Sequence, residues 1–216
     1  MNDTILLVGH GSRNEAGNGE VRAFAEGWRR RHPDWRIELC FIEFATPGLD
    51  DGLAKAAAHG GRVVVVPLIL NAAGHVKMEI PASIDKARGC LPHGSASLPM
   101  KLAEANREND GATFVLARNI GACEPVFDIL KRRLAEADDA TDAATTGVIL
   151  LGRGSSDRGA NGEVAKLVRW LYEETPYENV ELAFTGITTP RLESVVSRMV
   201  TLGARRLVIL PYYLFT

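Results

Sequence analysis

Leu6-Leu7-Val8-Gly9-His10-Gly11-Ser12, followed by Asn18-Gly19-Glu20-Val21, returns later in the chain as Ile149-Leu150-Leu151-Gly152-Arg153-Gly154-Ser155, followed by Asn161-Gly162-Glu163-Val164. The register persists beyond these segments: Pro33 returns as Pro176, Glu38 as Glu181, Pro47 as Pro190, and Pro67 as Pro211 after one inserted residue. So long a register marks an internal repeat, which fixes the fold before any single element is assigned.

Each copy alternates short apolar runs with helical periodicity, the pattern of βαβ units feeding a parallel sheet. Strands are expected near 4–8, 36–42, 62–67 and 113–117 in the first copy, and near 147–151, 180–185 and 206–210 in the second. Val21, Phe24, Ala25 and Trp28 fall at i, i+3, i+4 and i+7, one apolar helix face, and Val164, Leu167, Val168 and Leu171 supply its counterpart. The β-branched run Val63-Val64-Val65-Val66 suits a strand covered on both faces. The expected fold class is therefore α/β, with two similar lobes of parallel sheet flanked by helices. We expect an N-terminal lobe over 1–137 carrying the chemistry, a polar, alanine-rich linker over 138–146, and a C-terminal repeat lobe over 147–216. The second copy stops at Tyr212-Tyr213-Leu214-Phe215-Thr216, where the first goes on toward Asn71 and His75. That lobe is accordingly expected to be incomplete, as in a truncated chain.

Of the 216 residues, 46% are hydrophobic and 24% charged, enough to bury a core. A formal net charge of −2 with mixed signs gives no basic footprint for nucleic acid or an anionic membrane. Cys40, Cys90 and Cys123 are far apart and odd in number, which fits neither a disulfide framework nor a zinc cluster and suits a reducing cytoplasm. Nothing at the N-terminus reads as a secretory or membrane signal.

What both copies keep, such as Gly9/Gly152, Gly11/Gly154, Ser12/Ser155 and Asn18/Asn161, is explained by shared architecture. What differs carries the chemistry: His10 becomes Arg153, and Glu43 becomes Gly186. His10 follows the first strand, Glu43 ends the second and His75 follows the third, and in a parallel sheet those ends share one rim. Two imidazoles and a carboxylate form a ligand set suited to divalent iron, cobalt, nickel or zinc with coordination positions left open. Each alone has an ordinary alternative: a histidine after a strand commonly bonds backbone, and Glu43 could cap a helix or pair with a base. His32, His59 and His93 sit in polar contexts that suit surface residues, and Cys40 suits a small core position.

Gly9-His10-Gly11-Ser12-Arg13, Phe41-Ile42-Glu43-Phe44-Ala45-Thr46-Pro47, and Pro67-Leu68 through Gly74-His75 to Ile80-Pro81 occur in that order, and with them the chain resembles the CbiX and SirB type of sirohydrochlorin chelatase. The resemblance implies a two-lobed chelatase-like fold with the tetrapyrrole in the cleft between lobes, and His10, His75 and Glu43 on the metal. Glu79 stands where the family more often has an aspartate. The implied reaction inserts Co²⁺, or next Fe²⁺, into sirohydrochlorin for cobalamin or siroheme biosynthesis. The metal is a substrate, and no organic cofactor is expected. Insertion displaces two pyrrole protons, so the same residues are expected to act catalytically, one histidine doubling as base. Arg13 and Arg153 are the candidates for holding the substrate carboxylates. The partner expected is this small molecule, for a cytoplasmic monomer or homodimer. A non-catalytic tetrapyrrole or metal carrier remains the alternative. Phosphoryl transfer on a phosphohistidine is less favoured, because Gly9 stands where such sites place an arginine and Glu43 would repel phosphate.

Overall fold

The computed structural model describes residues 3–88, 112–139 and 141–215. Cys90 and His93 fall outside the described residues. The chain divides into two compact units, Met1–Ile69 with Gly74–Asn119 and Phe215–Thr216, and Leu70–Ala73 with Ile120–Leu214.

The first unit runs β1 (Thr4–Gly9), α1 (Glu15–Arg31), β2 (Arg36–Phe41), α2 (Leu49–Ala57), β3 (Arg62–Leu68), a π-helical turn (His75–Glu79), α3 (Ile80–Ala87) and β4 (Thr113–Leu116). Its sheet has the order β2-β1-β3-β4 with parallel pairing throughout. Period-two alternation sends Leu6, Val8, Cys40, Val63 and Val65 into a cluster with Leu53 of α2 and Ile80 and Ile84 of α3. Leu7, Ile37 and Phe41 point the other way and meet Val21 and Ala25 of α1, with Phe24 and Trp28 packed alongside. Both faces of β1 are thereby covered, as a central parallel strand requires. Leu6, Leu7 and Leu53 are wholly buried, so truncating any one of them to alanine should cost about 2–5 kcal/mol. α1 begins where the Asn14 side chain accepts from the Ala16 N–H and ends on Arg29, Arg30 and Arg31, whose charges oppose the helix dipole.

In the second unit come α4 (Glu124–Ala137), a 3₁₀ turn (Ala143–Thr145), β5 (Thr146–Gly152), α5 (Arg158–Glu174), β6 (Asn179–Phe184), α6 (Leu192–Thr201) and β7 (Arg206–Pro211). The sheet order is β6-β5-β7, again parallel. Phe127, Leu130 and Leu134 of α4 join Val164, Leu167 and Leu171 of α5 over Val148, Leu150, Val208 and Leu210. Ile149, Leu151 and Ala183 meet Val195 and Met199 of α6 on the opposite face. Asp138 is buried, accepting from the Tyr177 hydroxyl at 2.6 Å and pairing with Arg206 at 2.7 Å. Among the described residues no helix is long and apolar enough to cross a membrane.

The repeat is visible in the backbone. β1 sits between β2 and β3 as β5 sits between β6 and β7. In each unit an asparagine of the following helix clasps the turn after the central strand. Asn18 accepts from the Ser12 N–H and donates to the Ser12 carbonyl, both at 2.8 Å, and Asn161 does the same to Ser155 at 2.9 and 2.8 Å.

Candidate metal centre

The site is assembled on the carboxyl ends of three adjacent strands. His10 leaves β1, Glu43 lies two residues beyond β2, and His75 opens the π-helical turn that follows β3. The first two are stitched together by backbone: Ile42 N–H donates to the Gly9 carbonyl at 3.0 Å and Glu43 N–H to the His10 carbonyl at 3.1 Å. Gly11 has φ +85°, and a Cβ there would lie 1.7 Å from the Glu43 carbonyl oxygen. A glycine is therefore required for the two turns to approach this closely.

His10 Nε2 lies 3.6 Å from Glu43 Oε1, and His75 Nε2 lies 3.4 Å from the same oxygen. One donor atom from each of the three residues falls within 4.8 Å of the others. The imidazoles stand edge to face, 4.7 Å between centroids and 88° between planes. Two N/O donors each about 2.1 Å from a common ion at the tetrahedral angle are about 3.4 Å apart, so the nitrogen–carboxylate spacings fit donors of one ion. The side chains are each about one-third exposed, at 34%, 36% and 31%. Solvent thus reaches the donor set.

Hydrogen bonding selects the tautomers. The Gly11 carbonyl, 2.8 Å from His10 Nδ1, can only accept, so Nδ1 carries the proton. On His75 the Nδ1 lies 2.8 Å from Glu79 Oε2, and an ionised carboxylate likewise only accepts. With the Nδ1 hydrogen committed in this way, either ring in its neutral form presents the Nε2 lone pair toward Glu43. Glu79 is the polar contact that sequence reasoning passed over as a mild substitution; its spacing of four residues from His75 was the available signal. The π-helical turn accounts for the local geometry. Ile80 N–H donates back to the His75 carbonyl, five residues away. Pro81 lacks the N–H that a regular helix would give to the carbonyl four residues earlier. Such single π-turns occur frequently at functional sites.

Arg13 stands on the same rim with its guanidinium carbon 4.9 Å from the centroid of the Phe44 ring. Arg153 belongs to the second unit, where it follows β5 as His10 follows β1, and it is exposed. The backbone around it matches the first copy: Gly186 N–H donates to the Arg153 carbonyl at 3.0 Å. Neither arginine has a carboxylate partner among the described residues. His59 pairs with Glu38 at 3.2 Å, His32 stacks on Trp35 at 4.1 Å, and Cys40 is fully buried, so none of them joins the triad. An open cavity of about 500 Å³ adjoins Glu79 and is lined by Ile42, Asp50, Asp51 and Ser83, but by no member of the triad.

The CbiX family model matches residues 4–137 and 147–216. The chain belongs to the CbiX family. It is 40% identical over 220 residues to a sirohydrochlorin cobaltochelatase of Priestia megaterium, covering 99% of this chain and 64% of that protein. It is also 29% identical over 217 residues to a sirohydrochlorin ferrochelatase of Bacillus subtilis, covering all of this chain and 76% of that one. The chain thus spans about two thirds to three quarters of the length of these relatives. Among solved structures, SirB from Bacillus subtilis with Fe³⁺ superposes with a TM-score of 0.79 at 28% identity, over 100% of this chain and 78% of that one. The α/β architecture of this CbiX-family chain is that of the SirB structure.

Proposed function

We propose that this CbiX-family chain is a sirohydrochlorin chelatase, inserting Co²⁺, or Fe²⁺ as the next candidate, into the macrocycle with release of two pyrrole protons. The observation that carries this reading is the pair of imidazole Nε2 atoms converging on Glu43 Oε1 at spacings suited to one divalent ion. The names of the relatives support it: those proteins are called cobaltochelatases and ferrochelatases. In this reading His10, His75 and Glu43 hold the incoming metal as substrate, and the vacant side of the donor set faces the macrocycle nitrogens. Glu79 and the Gly11 carbonyl orient the two rings, and one imidazole accepts a pyrrole proton as the metal leaves it. Arg13 and Arg153 hold peripheral carboxylates. The setting is cytoplasmic, the chain a monomer or homodimer, and the product feeds cobalamin or siroheme formation.

The test is anaerobic visible absorbance of the purified chain with sirohydrochlorin and Co²⁺ or Fe²⁺. We expect spectral conversion of many equivalents per chain, lost in His10→Ala and in His75→Ala while the circular-dichroism spectrum is kept. Binding that stops at one equivalent without conversion makes the chain a carrier, and full activity in either histidine variant removes the assignment of that residue.

A further inference from the structure

Phe44 is an exposed aromatic residue in a backbone conformation that disfavours it. It follows Glu43 directly, its side chain is 54% exposed, and its φ is +60°. The left-handed region suits glycine or asparagine, and any side chain with a bulky Cβ substituent is strained there. Ile187 holds the same place in the second copy, with φ +65° and 63% exposure, and a β-branched residue is a still poorer fit. Strain in two equivalent loops follows from their shared backbone, but the shared backbone does not call for bulky apolar side chains facing solvent. Burial does not compensate either residue within its own unit. Strain of this kind persists where the conformation is used.

The surroundings of Phe44 indicate the use. The Arg13 guanidinium lies over its ring at 4.9 Å, within cation–π range, and has no carboxylate partner among the described residues. Arg13 leaves the turn after β1 that carries His10, and Phe44 is one peptide unit, about 3.8 Å between Cα atoms, from Glu43. A flat π face and an uncompensated cation therefore stand together next to the metal donors. We propose that Phe44 is a stacking platform for the conjugated macrocycle, and that Arg13, laid on the ring, takes a peripheral carboxylate beside it. This rests on the chelatase reading above and adds the element that reading lacks, a surface complementary to the body of the substrate and not only to its charges. Aromatic stacking of a planar heterocycle combines with an arginine contact without requiring deep burial.

The experiment is titration of metal-free sirohydrochlorin into the full chain, followed by its visible absorbance, with Co²⁺ affinity measured separately from cobalt's d–d absorption. Phe44→Ala and Phe44→Gly should weaken sirohydrochlorin binding at least tenfold while Co²⁺ affinity stays within twofold of the parent. Phe44→Trp should bind within threefold of the parent. Phe44→Gly, relieved of the strain, should melt no lower than the parent, which separates loss of the platform from loss of the fold. Parent-like binding in the alanine and glycine variants overturns the platform and leaves the chelatase reading standing. Equal loss of Co²⁺ and sirohydrochlorin overturns it as well, by making Phe44 a support for Glu43. A parent chain that binds no sirohydrochlorin overturns both.

Discussion

Replacing Gly11 by alanine puts the relation between fold and site to a quantitative test. The new Cβ would sit 1.7 Å from the Glu43 carbonyl oxygen, where ordinary contact begins at 3.4 Å. The loops after β1 and β2 must therefore separate by on the order of 1.5 Å. The backbone adds its own penalty, since φ is +85° and an L-residue in the left-handed region costs about 1–2 kcal/mol relative to glycine. Together these should lower stability by about 2–4 kcal/mol. Because the displaced oxygen belongs to Glu43 itself, the carboxylate moves with it, and donor positions are tolerant to only about 0.5 Å. We expect Co²⁺ affinity to fall at least tenfold. The second copy provides the control. Gly154 has φ +89°, and a Cβ there would meet the Gly186 carbonyl oxygen at 2.2 Å. Gly154→Ala should thus cost comparable stability, read by urea denaturation, yet leave Co²⁺ binding within twofold of the parent by isothermal titration. If Gly11→Ala binds Co²⁺ as the parent does, or if Gly154→Ala loses it equally, the assignment of metal binding to the first turn is refuted.

Glu79→Ala should weaken Co²⁺ binding about tenfold by releasing the His75 ring, and Glu79→Gln, whose amide oxygen still accepts from Nδ1, should fall between alanine and parent; equal affinities across the series would deny Glu79 an orienting role. Glu38 is pushed up by burial but held net below the usual carboxylate range by hydrogen bonds from Lys55 and His59 and the charges of Lys55 and Arg29. Its contribution to stability is complete above the unfolded value of about 4.5 and disappears as pH falls through the lower folded value. Glu38→Gln should therefore cost about 1 kcal/mol at pH 7 by urea denaturation, with the gap from the parent closing toward pH 3; a gap that widens in acid would contradict this. The Cys40 thiol is raised to about 12 by burial. Iodoacetamide at pH 8 should leave Cys40 unmodified in the folded chain and label it in guanidinium, as read by peptide mass spectrometry.

The strands other than β4 were legible because the repeat doubled the evidence for each, and because parallel strands covered on both faces are written as runs such as Leu6-Leu7-Val8 and Val63-Val64-Val65-Val66. That His10, Glu43 and His75 meet was legible for a related reason, since His10/Arg153 and Glu43/Gly186 single out residues that architecture does not require. α2 was not legible. Gly52 in its middle argues for a loop by propensity, yet a Cβ there would lie 2.3 Å from Cys40 Cβ, so helix and strand can pack only across a glycine. The reading of 1–137 as one lobe takes in α4, whose apolar face of Phe127, Leu130 and Leu134 packs on β7 and α5 of the second unit, a pairing that only the three-dimensional structure gives. Glu79 escaped because a four-residue spacing becomes a contact only where the segment is helical, and Gly74 and Pro81 on either side of it argue against a helix.

The partial exposure of the three donors also bears on timing. A centre built to retain its ion closes the coordination sphere and shields it from water. Here one oxygen and two nitrogens stand together, aligned by the Asn18 clasp and the Gly11 turn, with about a third of each side chain left in solvent. In the proposed chelatase such a grip would be quick to load and quick to surrender, the transience needed by a protein that picks up an ion in order to give it away.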